Sequence, residues 1–330
     1  MISMSLLIVA IVVILFYAFW NGFTDAANSI STIIGTRVLT PIKAVALAAV
    51  GNFTGIFFGV AVATTIATGI IDPKFMTIEL VLAAICGGLI WDIITWFFGL
   101  PCSESHVLIG GLVGAGIAAQ GFGIINYTGV FNKVIIPMLL SPILAIIVTV
   151  LITALVLKIF AKKTQNVMNK HFKNMQIASA FFLSVMHGSN DAQKAAGILA
   201  AVLLSYGLIS TFHVPLWVII ITYVAISIGT FFGGWRIVKT MAFKVTNLKP
   251  YQGFCAESGA ALILGTTAKF GLPVSTTHVV AGSIVGVGIS SRFSAVRWKV
   301  ARSIVFAWIL TIPASAIFSF LLFHGINFFL

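Results

Sequence analysis

The sequence predicts an all-α polytopic membrane protein with an inverted internal repeat, discontinuous helices and two re-entrant helical hairpins. Three observations lead there. First, 60% of the 330 residues are hydrophobic and 8% are charged, against about 25% charged in ordinary soluble domains, and the mean hydropathy is +1.13. Such a chain cannot cover a soluble fold with polar groups, which excludes a soluble enzyme, a nucleic-acid-binding module and a disordered protein. Second, the pattern of apolar spans repeats midway. Third, five of the seven acids, Asp25, Asp92, Glu104, Asp191 and Glu257, fall within or at the tips of apolar spans.

The spans follow in order. Residues 4–35 form a long span interrupted near 21–25. The stretch Leu6–Trp20 lacks a cleavage pattern and any upstream Lys or Arg, so it reads as a first membrane helix rather than a signal peptide. Residues 42–70 form the next span. Residues 77–98 and 103–120 flank a hairpin tip near 99–105, and 130–160 close the first repeat, 1–160. A basic cytoplasmic linker, 161–176, carries Lys162, Lys163, Lys170 and Lys173. The second repeat, 177–330, holds 177–207, interrupted near 188–191, then 215–240. After these come 252–269 and 275–290 around a tip near 271–277, and finally 302–328.

Shifting the chain by 172 superposes residues 99–116 on 271–288 with ten of eighteen positions identical, including the Pro, Ser and His of each tip. Shifting by 166 places Gly22-Phe23-Thr24-Asp25-Ala26 on Gly188-Ser189-Asn190-Asp191-Ala192. If each hairpin enters and leaves on one side, each repeat has three crossings and the second runs inverted. With the N-terminus outside, fifteen of the nineteen Lys and Arg fall inside, Lys74 and Lys133 fall outside, and Lys194 and Lys269 lie within the membrane. That bias fits the positive-inside rule and places both termini outside the cell (inner) membrane.

An acid inside a membrane needs a partner or a task, at about 2.5–3.5 kcal/mol each at a helix centre. Asp25 and Asp191 each follow a glycine by three residues, and Thr24 and Asn190 favour local side-chain-to-backbone bonds. The expected result is a broken helix in each repeat whose loosened carbonyls and carboxylate suit a small hard cation. The tips Pro101-Cys102-Ser103-Glu104-Ser105-His106 and Pro273-Val274-Ser275-Thr276-Thr277-His278 are helix N-termini with clustered hydroxyls, an anion cradle. Ordinary N-capping is the structural alternative. His106, His278 and His187 read as packing residues. Lys194, one turn past Asp191, either attracts an anion or neutralises Asp191, and Asn28 is its match in the first repeat. The three cysteines, Cys86, Cys102 and Cys255, read as core residues without a disulfide or metal role. A P-loop, a nucleophile elbow and His/Cys metal spacing are missing, which argues against an enzyme.

These motifs resemble those of the inorganic phosphate transporter (PiT) family. Gly22 to Asn28 and Gly188 to Lys194 are similar to its duplicated Gly-x-Asn-Asp motif, the second copy, with His187 before it and Gln193-Lys194 at its end, resembling the bacterial form, and Leu100-Pro101-x-Ser103 and Leu272 to His278 are similar to its second motif. The sequence departs at Thr24, at Glu104, and at Glu257, whose 172-shifted counterpart is Ile85. The resemblance implies a secondary transporter that imports phosphate with sodium or protons. Ser103, Ser105, Asn190, Gln193, Ser275, Thr276 and Thr277 are the expected phosphate donors. Asp25, Asn28, Asp191 and Glu257 are the expected cation site, with sodium, the only coupling ligand called for, at Asp25, Asn28 and Asp191. Thr24, Glu104 and Lys194 are further candidates. A carboxylate with hard oxygens and no proton relay favours sodium. The alternatives are a proton-coupled phosphate symporter, a sulfate permease of the same fold, and a passive anion channel. No cofactor and no nucleic acid are expected, and the fold class is compatible with a homodimer.

Overall fold

The computed structural model describes residues 4–329. The extreme ends of the two predicted repeats, residues 1–3 and 330, lie outside the described residues. Twelve helices make up the described chain: α1 (Met4–Gly35), α2 (Pro41–Phe58), α3 (Ala61–Gly69), α4 (Ile78–Phe98), α5 (Glu104–Gln120), α6 (Tyr127–Ile159), α7 (Gln165–Ser205), α8 (Leu216–Phe232), α9 (Trp235–Lys244), α10 (Pro250–Lys269), α11 (Thr276–Ser291) and α12 (Trp298–Phe329). The protein is an all-α, multi-pass membrane protein. Among the described residues five helices are long and apolar enough to cross a bilayer, and α8 with α9, bent by 57°, is long and apolar enough only when the two are taken together. Phe57, Phe98, Leu139, Ile159, Leu216 and Ile309 are exposed along these helices, as lipid-facing side chains are.

Both hairpins close by the same chemistry. Gly99 and Gly271 each adopt φ +65°. The amides of Gly99 and Leu100 return to the carbonyls of Trp96 and Thr95. Those of Gly271 and Leu272 return to Ala268 and Thr267. This left-handed glycine cap satisfies the last carbonyls of α4 and α10, and the following Pro prevents the helix from continuing. Ser103 and Ser275 then cap α5 and α11, accepting from the amides of His106 and His278. With 16 residues, α11 is about 24 Å long, short of a ~30 Å hydrocarbon core. Each hairpin leans on the closing helix of the other half: α5 packs on α12 and α11 on α6.

The discontinuities are not where the sequence placed them. Helices α1 and α7 run unbroken through 21–25 and 188–191. Gly22 and Gly188 serve close approach instead. A Cβ on Gly22 would lie 2.0 Å from the Ile226 carbonyl oxygen, and one on Gly188 would lie 2.2 Å from that of Asn52. Thr24 and Asn190 bond back to the carbonyls of Trp20 and Met186 without opening the helix. The breaks lie one element later, between α2 and α3 at Gly59 (φ +89°) and between α8 and α9 at Gly233 (φ +66°). The residues before them match as well: Gly55-Ile56-Phe57-Phe58-Gly59 and Gly229-Thr230-Phe231-Phe232-Gly233. The span expected at 42–70 is therefore two helices. Most of the expected linker is helical, since α7 begins at Gln165.

Two apolar clusters hold the helices together. Ile14 and Tyr17 of α1 and Ile198 and Leu199 of α7 belong to one. Ile30 and Ile33 of α1 and Leu183 and Val185 of α7 belong to the other. The polar segments of α1 and α7 lie between these clusters, so the fold places its charged groups where apolar packing excludes water from both ends.

Candidate functional site

Asp25, Asp191 and His187 converge, with one oxygen or nitrogen of each within 4.8 Å of the others. All are buried, on α1 and α7. His187 Nε2 lies 3.3 Å from Asp191 Oδ2 and 4.0 Å from Asp25 Oδ2. Its Nδ1 is 3.0 Å from Asn52 Oδ1, and because Asn52 donates its amide to Thr230, the oxygen is left to receive the imidazole N–H. The sequence reading took His187 for a packing residue. Its place four residues before Asp191, one helical turn away, is the signal that would have found it.

The second tip joins the carboxylates. The Thr276 hydroxyl lies 3.3 Å from Asp25 Oδ2 and 3.2 Å from Asp191 Oδ2, and the Thr277 hydroxyl donates to Asp25 Oδ1 at 3.1 Å. Asn28 donates its amide to both hydroxyls, at 3.2 and 3.0 Å, and its Oδ1 is buried without a partner. Lys194 Nζ donates to Asp191 Oδ1 at 2.5 Å. Asp25, Asn28, Asp191, Lys194, Thr276 and Thr277 thus form one group.

The first tip meets this region differently. Glu104 accepts from the Thr24 hydroxyl at 2.8 Å, and its other oxygen is buried without a partner. Asp92 stands beside it, receiving the Trp20 indole N–H at 2.5 Å and the Cys102 thiol at 2.8 Å. Cys102 is more than the inert core residue the sequence suggested. Ser105 donates to the Val274 carbonyl at 2.9 Å and so ties tip to tip. His106 and His278 pack edge to face at 4.5 Å, and Trp308 stacks on His278 at 3.7 Å. Trp308 also donates its indole N–H to the Pro101 carbonyl. The two histidines lock the tips against α12.

Of the expected site residues, Ser103 and Ser275 cap their own helices, Ser105 bonds the Val274 carbonyl, and Gln193, Asn190 and Glu257 lie apart from the group. Gln193 accepts from the Val62 and Ala63 amides and donates to the Ser189 carbonyl, so it caps α3 on another face of α7 with both its oxygen and its nitrogen engaged. Asn190 donates to the Leu264 and Met186 carbonyls, on α10 and its own helix. Glu257 centres a separate polar nest, accepting from Thr32 at 2.6 Å, from Gln176 at 3.0 Å and from Ser179. Asn190 and Gln193 stand one and two residues from Asp191, turned about 100° and 200° around the axis of α7, which is why they do not share its centre. Outside the membrane, Asp72 has its carboxyl held below the usual range by the Lys74 amide and plays no part here.

Chemically the group offers carboxylate, amide and hydroxyl oxygens without a soft ligand, the donor set of a hard cation. The N-termini of α5 and α11 add partial positive charge beside it, as an oxyanion requires.

The phosphate transporter family model matches residues 21–319. A probable low-affinity inorganic phosphate transporter of Rhizobium meliloti (strain 1021) is 48% identical over 319 residues, covering 96% of this chain and 95% of that protein. One of Bacillus subtilis (strain 168) is 41% identical over 321 residues, with 96% and 95% covered. The solved structure titled the sodium-dependent phosphate transporter superposes with a TM-score of 0.88 at 26% identity, over 99% of this chain and 100% of that one. With a family match spanning both tips and both acid-bearing helices, this chain belongs to the phosphate transporter family.

Proposed function

We propose that the protein imports inorganic phosphate by secondary active transport coupled to sodium, from the inner membrane with both termini outside. One observation carries the reading: Thr276 stands between Asp25 and Asp191, so a tip hydroxyl and two carboxylates from different halves meet in one buried group. Two carboxylates side by side repel an oxyanion unless a cation offsets them. Asp25, the unpartnered Asn28 oxygen and the Thr276 and Thr277 hydroxyls would hold sodium. The amide ends of α5 and α11, with Ser103, Ser105 and Ser275, would receive phosphate. Because a cation beside Asp25 and an oxyanion at the amide end of α11 would lie next to one another and attract, binding of either favours the other, and that reciprocity is the coupling. The solved relative whose title names sodium dependence supports the choice of ion. The fifteen-to-two distribution of basic residues supports the orientation.

The test is uptake of labelled phosphate into proteoliposomes under a sodium gradient or a proton gradient imposed separately, with sulfate and arsenate as competitors. Uptake driven by the sodium gradient and displaced by arsenate is expected. Uptake driven by protons alone overturns the sodium assignment. Flux needing neither gradient makes the protein a passive channel, and stronger competition by sulfate than by unlabelled phosphate makes it a sulfate permease.

A further inference from the structure

The two halves present the same scaffold to unequal chemistry. Asp25 of α1 and Asp191 of α7 each stand three residues after a packed glycine, and three residues on come Asn28 and Lys194. The first is a neutral amide whose Oδ1 is buried with no partner. The second is an ammonium, wholly buried, in contact with Asp191 Oδ1. Among the described residues Lys194 is the one Lys or Arg that is buried. Burying an ammonium costs several kcal/mol and is sustained only by a close counter-charge, so Lys194 and Asp191 hold one another. His187 faces both carboxylates and does not separate the halves. Thr276 likewise reaches both. What differs is that the Asp191 carboxylate has a covalently tethered cation and the Asp25 carboxylate has an amide oxygen that a diffusible cation would complete.

We propose that the Lys194 ammonium replaces one coupling ion: it fills in the second half the place that a sodium ion takes beside Asp25 and Asn28 in the first, so the protein moves one sodium fewer per phosphate than its duplicated plan provides. The inference rests on the sodium-coupled reading above. The ammonium stays with the protein through the cycle, and the Asp191 side therefore contributes fixed charge compensation but draws no energy from the sodium gradient. Its position, paired to Asp191 and on the opposite side of that carboxylate from Thr276, makes it a specificity-determining residue for ion number rather than a phosphate ligand.

The experiment counts sodium in wild type and Lys194→Asn. Equilibrium binding of radioactive sodium to the purified protein gives ions per chain, and dual-label flux in proteoliposomes gives the sodium-to-phosphate ratio. Lys194→Asn is expected to bind one more sodium per chain than wild type, and its melting temperature should rise more steeply with sodium. Lys194→Arg should keep the wild-type count, and Asn28→Lys should lose one sodium. The binding count remains readable if Lys194→Asn no longer transports. A wild type that binds sodium while Lys194→Asn binds the same number overturns this inference and leaves the sodium reading standing. The same holds if Lys194→Asn only weakens phosphate binding. A wild type that binds no sodium overturns both.

Discussion

Helices α1 and α7 are crossed in the same way and furnished differently. Gly22 lets α1 meet α8 at Ile226, and Gly188 lets α7 meet α2 at Asn52. Beyond those crossings the broken helices turn at matched glycines, and the hairpins close with matched caps. At other matched sequence positions, by contrast, Asn28 corresponds to Lys194, Glu104 to Thr276, and Ile85 to Glu257. The lesson is that close backbone packing tolerates no side chain and so preserves the duplicated plan. The polar positions between those crossings are free to differ, and unequal side chains sit on a matched frame.

The sharpest test of that difference is Asp191→Asn against Asp25→Asn. Both are expected to abolish sodium-driven uptake of labelled phosphate. Asp191→Asn also leaves Lys194 buried without its counter-charge, at about 3–5 kcal/mol. Asp25→Asn removes no such pair and should fold with a smaller loss. Melting temperatures in detergent read the two apart, and equal losses would mean that Lys194 does not depend on Asp191.

The frame is tested by Gly22→Ala and Gly188→Ala. Each places a methyl on a backbone carbonyl oxygen at 2.0 or 2.2 Å, with no flexible side chain to move aside. Helix separation must grow, at a cost of about 1–3 kcal/mol or more, and the two losses should be equal within ~0.5 kcal/mol, measured by urea or thermal unfolding. A marked inequality would show that the crossings are not equivalent. Glu257→Gln comes next in size. It preserves one acceptor oxygen for Thr32 or Gln176 but turns an amide toward Ser179, and a disrupted buried hydrogen bond costs about 1–3 kcal/mol. Uptake should weaken while the sodium count of the Asp25 group is unchanged, because the nest is separate.

Much of the frame was legible in the sequence, because hairpin tips are written in Gly, Pro and Ser at fixed spacing and those residues act locally. Gly99-Leu100-Pro101-x-Ser103 encodes a left-handed cap, a stop and an N-cap within five residues. The helix breaks were misplaced for a physical reason. Gly22 and Gly188 looked like weak points, but a glycine in a membrane helix also permits close approach, and only the partner helix decides which. The true breaks lie in Phe57-Phe58-Gly59 and Phe231-Phe232-Gly233, where nothing polar drew attention. At the site, Asp25, Asn28, Asp191, Thr276 and Thr277 came together as their types suggested. Gln193 and Asn190 did not, because spacing along a helix fixes a residue's face only once the neighbouring helices are known.

The smallest expected effect addresses the tip that departs from its counterpart. Glu104→Thr gives the first tip a hydroxyl where the second has Thr276. The Glu104 carboxylate is buried, accepts one bond from Thr24, keeps one oxygen unpartnered and lies beside Asp92, with no Lys or Arg hydrogen-bonded or ion-paired to it. A charge in such surroundings is costly, so its removal should raise the melting temperature or leave it unchanged. Thr24 loses one acceptor and keeps another, the Trp20 carbonyl at 3.0 Å. Phosphate uptake should persist with KM shifted less than about tenfold, which is less than about 1.4 kcal/mol, since the one hydroxyl that reaches both carboxylates, that of Thr276, comes from the second tip. Loss of uptake on Glu104→Thr would place the Glu104 carboxylate among the groups that handle the transported ions and would make the first tip as demanding as the second.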